Sequence, residues 1–208
     1  MTEPIPTDPT LEPPPRLWWL SSGFGLVVSF IIMIWVIEAL DTVLLNSRLE
    51  GGGIHPRRLD GLDGILWAPF LHRGFGHVLS NTIPVALLGG LVAVAGLRRW
   101  LQVTVSVVLV AGALTWLLGR SGNHIGASMV TFSWLGYLVA AASLERKLRS
   151  LGTALVAVVL YWTMIFGLVP RAGVSWEGHL FGAVAGVGVA WLCCRELPSL
   201  EPPDRGLS

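Results

Sequence analysis

Four polar side chains stand out against a strongly apolar background: His77 and Asn81, four residues apart, Ser128 in the stretch "GNHIGASMVTF", and His179 in "GHLFG". A serine hydroxyl becomes a useful nucleophile when a base takes its proton, and a neutral imidazole suits that task near pH 7. His179 is the candidate base for Ser128. Charge developing on a tetrahedral intermediate needs donors aimed at it, and the Asn81 amide, a His77 ring N–H and the backbone N–H of Ser128 are candidates for that oxyanion hole. His77 and Asn81 share one helical face at this spacing. Ser128, at the start of its helix, adds unpaired backbone N–H groups and the positive end of the helix dipole. Together these are the parts needed for acyl transfer by a serine–histidine dyad. Glu177, two residues before His179, would point to another side of the helix and reads as a solvated residue at the outer helix end. Singly, each residue has a plainer role: a serine bonded to its own helix, an asparagine that glues helices, histidines that bridge them.

The background against which these residues stand is 53% hydrophobic and 13% charged over 208 residues, with a mean hydropathy of +0.67. That is the composition of a membrane protein, in which polar groups at span depth are costly and therefore tend to be functional. A net charge of +1 gives no electrostatic support for nucleic acid as a partner. The cysteines, Cys193 and Cys194, are adjacent, which suits neither a disulfide framework nor a metal knuckle. A metal site built from His72, His77, His124 and His179 would lack carboxylate or thiolate ligands, so no metal or other cofactor is expected.

The elements that must position the site are helices. Apolar segments near 23–45, 77–97, 100–118, 127–144, 151–169 and 176–193 are long enough to span a bilayer, which gives an all-α, polytopic bundle of six transmembrane helices over residues 23–195. Residues 1–22 are proline-rich and read as a disordered tail, and 196–208 as a short second tail. Arg98, Arg99, Arg146, Lys147 and Arg149 follow spans two and four, with Arg16 and Arg195 at the outer flanks. The positive-inside rule then puts both termini in the cytoplasm. Lys147 is the single lysine among 14 Lys and Arg residues, a bias of GC-rich bacterial genomes, so a bacterial plasma membrane is expected. The long first loop, 46–76, should fold partly into the outer leaflet, with Trp67 and Phe70 at the interface. Glu38 and Asp41, near the outer end of span one, read as structural or water-facing. Gly178, Gly182 and Gly186 form a stripe at four-residue spacing along the last span, where small residues let another backbone approach closely.

Three motifs in this order, "HRGFGHVLSN", "GASM" and "GHLFG", resemble the rhomboid intramembrane serine proteases, whose patterns are His-x-x-x-Asn, Gly-x-Ser-Gly and small-His-x-x-Gly. The resemblance covers residues 23–193. It implies Ser128 as nucleophile, His179 as general base, His77 and Asn81 at the oxyanion hole, and a six-helix core. It also implies cleavage of single-span membrane proteins near a small residue in a readily unwound helix. The sequence departs from the family at Met129, where glycine is usual, and at Phe132, where tyrosine is common. With Gly126 these are expected to line the site. The first loop lacks the family's Trp-Arg pair. The competing readings are an inactive rhomboid relative that binds transmembrane clients, decided by whether Met129 blocks the cleft, and a proton-coupled transporter, for which spans two to six carry too few charges.

Overall fold

The computed structural model describes residues 23–171 and 173–194. The two expected tails lie outside these residues. Helix α1 (Gly23–Leu44) leads into a long irregular segment that contains the single turn α2 (Gly64–Trp67). Helices α3 (Phe75–Ala93), α4 (Leu97–Leu118), α5 (Ser128–Glu145), α6 (Leu148–Tyr161) and α7 (Trp176–Cys194) follow. Among the described residues there is no strand, only an isolated bridge between Ile54 and His124. The architecture is an all-helical bundle.

Among the described residues, five helices are long and apolar enough to cross a membrane: α1, α3, α4, α7, and α6 together with the 3₁₀ segment Trp162–Leu168 that continues it. Their outward residues are apolar, Val28, Ile32, Leu109, Leu155 and Val184 among them, as lipid contact requires. Helix α5 differs. It carries serine, threonine and tyrosine, and it buries a continuous run from Met129 to Trp134, so it is enclosed by its neighbours rather than one-sided. The ring of Trp134, fully buried, packs against Phe30 of α1 and Trp100 of α4, and its indole N–H reaches Thr104 at 3.2 Å.

The most extensive helix pair is α5 with α7. A Cβ on Gly182 would overlap the carbonyl oxygen of Met129, and one on Gly186 would overlap that of Ser133. On the facing helix, a Cβ on Gly136 would overlap the carbonyl of Ala183. These glycines let the two backbones touch, which in lipid supplies the packing that hydrophobic transfer cannot. Gly178 plays a different part from the rest of its stripe, facing the Ser175 side chain instead of α5.

The first loop packs onto the segment that precedes α5. Ile54 and His124 exchange two backbone hydrogen bonds of 3.0 Å, and the Arg57 guanidinium donates to the carbonyl of Gly119 at 2.7 Å. Trp67 is exposed, as an interface residue would be, whereas Phe70 turns inward against Phe30, ring centroids 5.0 Å apart. Glu38 and Asp41 are both buried: Glu38 accepts from Thr42 and Asp41 from the Leu49 amide. They are structural, not water-facing, because each stabilises the turn where α1 ends.

Gly186→Val should separate α5 from α7. Its expected cost lies at the large end of single substitutions, about 3 kcal/mol or more, and is read as a fall in melting temperature in detergent. Gly188→Val, where a Cβ would meet nothing within 4 Å, should be tolerated.

Candidate active site

A cavity of about 680 Å³ opens where α3, α5 and α7 meet the loop before α5. Ser128, His179, His77 and Asn81 all line it. The Ser128 hydroxyl lies 2.8 Å from His179 Nε2. The other ring nitrogen, Nδ1, sits 2.8 Å from the carbonyl oxygen of Gly167. A carbonyl can only accept, so Nδ1 carries the proton and Nε2 presents a bare lone pair to the serine. That is the tautomer in which an imidazole can draw off a hydroxyl proton. The Phe132 ring stacks on His179, with centroids 4.2 Å apart and planes 5° from parallel.

Gly167 was not singled out by the sequence. It lies in the 3₁₀ segment, where a Cβ would stand 2.7 Å from the Phe132 ring and 3.1 Å from His179 Nδ1. The approach of this carbonyl to the histidine thus depends on a residue without a side chain.

His77 Nδ1 lies 3.2 Å from the Arg73 amide, which can only donate, so in the neutral ring the proton sits on Nε2. A Cβ on Gly126 would lie 2.9 Å from that Nε2 and 3.7 Å from Ser128 Oγ, so both border one small space. Gly126 holds φ at +113°, a conformation that L side chains rarely adopt. The Asn81 amide donates one N–H to the His77 carbonyl at 2.9 Å, leaving its second N–H available. As the first residue of α5, Ser128 has a backbone N–H that the helix leaves unpaired.

Met129 departs from expectation. Instead of lining the cavity, its side chain is buried with Ile54, Ala68, Ala111 and Ala185, and its sulfur accepts from the Thr115 hydroxyl at 3.7 Å. Successive residues of a helix project about 100° apart, so Ser128 facing the cavity turns Met129 towards α4. Glu177 also departs from expectation: it is buried and pairs with Arg120 at 3.2 Å. Its own helix points it away from His179, but the loop before α5 covers it. The same loop is tied to α7 by His124, whose Nδ1 accepts from Ser175. Arg120 and His124 therefore fasten the serine segment to the helix that carries His179.

His72 supports the turn before Ser128. Its Nδ1–H faces the Phe70 carbonyl, and its Nε2 accepts the Ala127 N–H at 3.3 Å. Burial, reinforced by the neighbouring His77, pushes its pKa down to about 4.

The profile of the Rhomboid domain matches residues 62–196. The chain is 38% identical over 210 residues to uncharacterized proteins of Mycobacterium tuberculosis and Mycobacterium bovis, covering 96% of this chain and 84% of each relative. An uncharacterized protein of Mycobacterium leprae is 36% identical over 207 residues, covering 95% of this chain and 78% of the relative. With its five apolar helices, the chain is a multi-pass membrane protein.

Two outcomes follow from this geometry. Folding favours the neutral His72 ring, so the stability this lends is complete above the ordinary pKa of 6.5 and is lost as the pH falls from there towards 4. The melting temperature should drop across that window, and less steeply in His72→Gln, which cannot titrate. Met129→Ala should destabilise the fold by about 2–5 kcal/mol through the cavity it leaves, measured by denaturation in detergent.

Proposed function

The chain belongs to the rhomboid family, and from that premise we propose that it is an intramembrane serine endopeptidase acting by a Ser128–His179 dyad. The observation that carries this reading is the pair of contacts on one imidazole, Ser128 Oγ at Nε2 and the Gly167 carbonyl at Nδ1. Ser128 Oγ attacks the scissile carbonyl and gives its proton to His179 Nε2. The imidazolium that forms keeps its Nδ1–H on the Gly167 carbonyl, which takes the orienting role a carboxylate has in a triad. The oxyanion is held by the free Asn81 N–H, His77 Nε2–H and the Ser128 amide. Collapse of the intermediate passes the proton from His179 to the leaving amine, and water from the open cavity then hydrolyses the acyl-enzyme.

The substrate class follows from the bilayer. A peptide bond within a helix is shielded, and unwound backbone is tolerated at membrane depth only inside protein or a wet cavity. We therefore assign single-span membrane proteins as substrates, unwound into the cavity beside α3 and α7. Entry would be governed by the 3₁₀ segment Trp162–Leu168 and the turn after it, since such segments often mark hinges. Helix α5 is counted as the sixth span, which puts both termini on one side, taken to be the cytoplasm of a bacterial cell from the arginine distribution. Because Met129 faces α4, it does not obstruct the serine, which supports an active enzyme over a client-binding relative.

Wild type reconstituted in proteoliposomes should cleave a transmembrane substrate and be labelled by a fluorophosphonate. Ser128→Ala and His179→Ala should each abolish cleavage, and the double variant should be little worse, because such residues act as a unit. Asn81→Ala should lower the rate by about 10²- to 10³-fold. Full cleavage by either dyad variant would exclude the mechanism.

A further inference from the structure

At the end of the bundle away from Ser128, a second cavity of about 500 Å³ lies between the end of α3, the first turn of α4, the end of α5 and the start of α6. Along α5 the first cavity touches Ser128, Thr131 and Phe132 and the second touches Tyr137, Leu138, Ala141 and Glu145, so the two have no lining residue in common. The catalytic chemistry makes no use of this second space. Among the described residues, three cationic side chains line it, Arg99, Lys147 and Arg149, against the single carboxylate of Glu145. That carboxylate already accepts from the Ser150 hydroxyl. Arg99 is held in place by one nitrogen: its Nη1 donates to the Cys193 carbonyl at 3.1 Å and to Tyr137 Oη and Cys194 Sγ at 3.4 Å. A guanidinium fixed on one side keeps the remaining donors of its planar fork for a ligand, the geometry suited to paired oxygens.

The remaining lining adds two properties. Leu91, Val92 and Leu138 make one wall apolar, while Ser150 and Thr153 supply hydroxyls. Helices α4 and α6 both start at the rim, after Gly96 and Lys147, and no side chain caps either start. Their positive dipole ends reinforce the charge of the cations already there. Glu145 offsets part of this charge through Lys147 and Arg99, and the remaining excess of cations around a half-enclosed space at a bilayer edge favours the arrival of a further anion.

We propose that this cavity binds a phosphate group, carried by the headgroup of an anionic phospholipid or free in solution. The apolar wall beside the cations would take the first methylenes of an acyl chain, and Leu148 and Leu151 on the outer face of α6 are exposed where such a chain would continue. The site does not depend on the protease reading.

The test uses the full-length protein in detergent, incubated with phosphatidylglycerol or phosphatidylcholine and examined by native mass spectrometry, with inorganic phosphate in a separate thermal-shift arm. Wild type should retain phosphatidylglycerol over phosphatidylcholine, and Lys147→Gln/Arg149→Gln should lose about 5-fold in retention per basic residue removed. Both residues are exposed, so the fold should survive. Arg98→Gln, exposed on the first turn of α4 beside Arg99 but outside the cavity lining, should change nothing. Stabilisation by inorganic phosphate in wild type alone, with no lipid preference, would support the site and assign it a soluble source. Equal retention of both lipids without a phosphate effect, or equal losses in Arg98→Gln and the double variant, would overturn it.

Discussion

Everything at the candidate active site depends on how closely α5 and α7 approach. Ser128 and His179 are 51 residues apart, yet their side chains meet at 2.8 Å. A hydrogen bond of that length tolerates displacements of a few tenths of an ångström, and helix axes separated by ordinary side chains would not meet the tolerance at both ends. Gly136, Gly182 and Gly186 remove the side chains between the backbones. Ser133, which would otherwise be an unpaired hydroxyl at that seam, bonds back to the Met129 carbonyl. The interface is therefore tight, with the Ser133 hydroxyl satisfied inside it.

A helix pair alone would leave the serine end free to fray. The segment from Arg120 to Ala127 is non-helical backbone, and its polar groups need partners. Most find them on three sides, Ile54 of the first loop, Ser175 and Glu177 at the start of α7, and His72 beneath Ala127, while Asn123 Oδ1 is buried without a hydrogen-bond partner. The first loop thus acts as a buttress for the serine, and its burial against the bundle is what holds a long connection without long helices in one path. The imidazoles of His72 and His124 serve as structural cross-links here, while those of His77 and His179 face the cavity.

The two ends of the bundle handle polarity differently. At the serine end Arg120 pairs with Glu177 and Arg73 with Glu50, and the cavity between them is open to water. At the other end Arg99, Lys147 and Arg149 outnumber their carboxylate. The apolar belt of outward side chains between them fits a bilayer with the site near one surface and a basic collar at the other.

The polar constellation, the helical class and, within the glycine stripe, Gly182 and Gly186 were legible in the sequence because each is carried by residue type and spacing along one chain. Four residues of the kind needed for acyl transfer, isolated in apolar segments at high desolvation cost, point to chemistry more than to packing. The periodicity of small residues marks a contact face whatever lies opposite. The rest required the partner surface. Once Ser128 faces the cavity the helical step turns Met129 away from it, but what receives the side chain, the pocket beside Thr115 on α4, belongs to another segment. The environment of Glu177 could not be read from its own helix, since Arg120 reaches it from another segment. The Gly167 carbonyl that orients His179 left no trace at all: every residue has a carbonyl, and only the 3₁₀ path of Trp162–Leu168 aims this one at the imidazole. Sequence records which side chains are present and on which face of their own helix; the backbone groups and cross-chain neighbours that orient them exist only once the helices are packed.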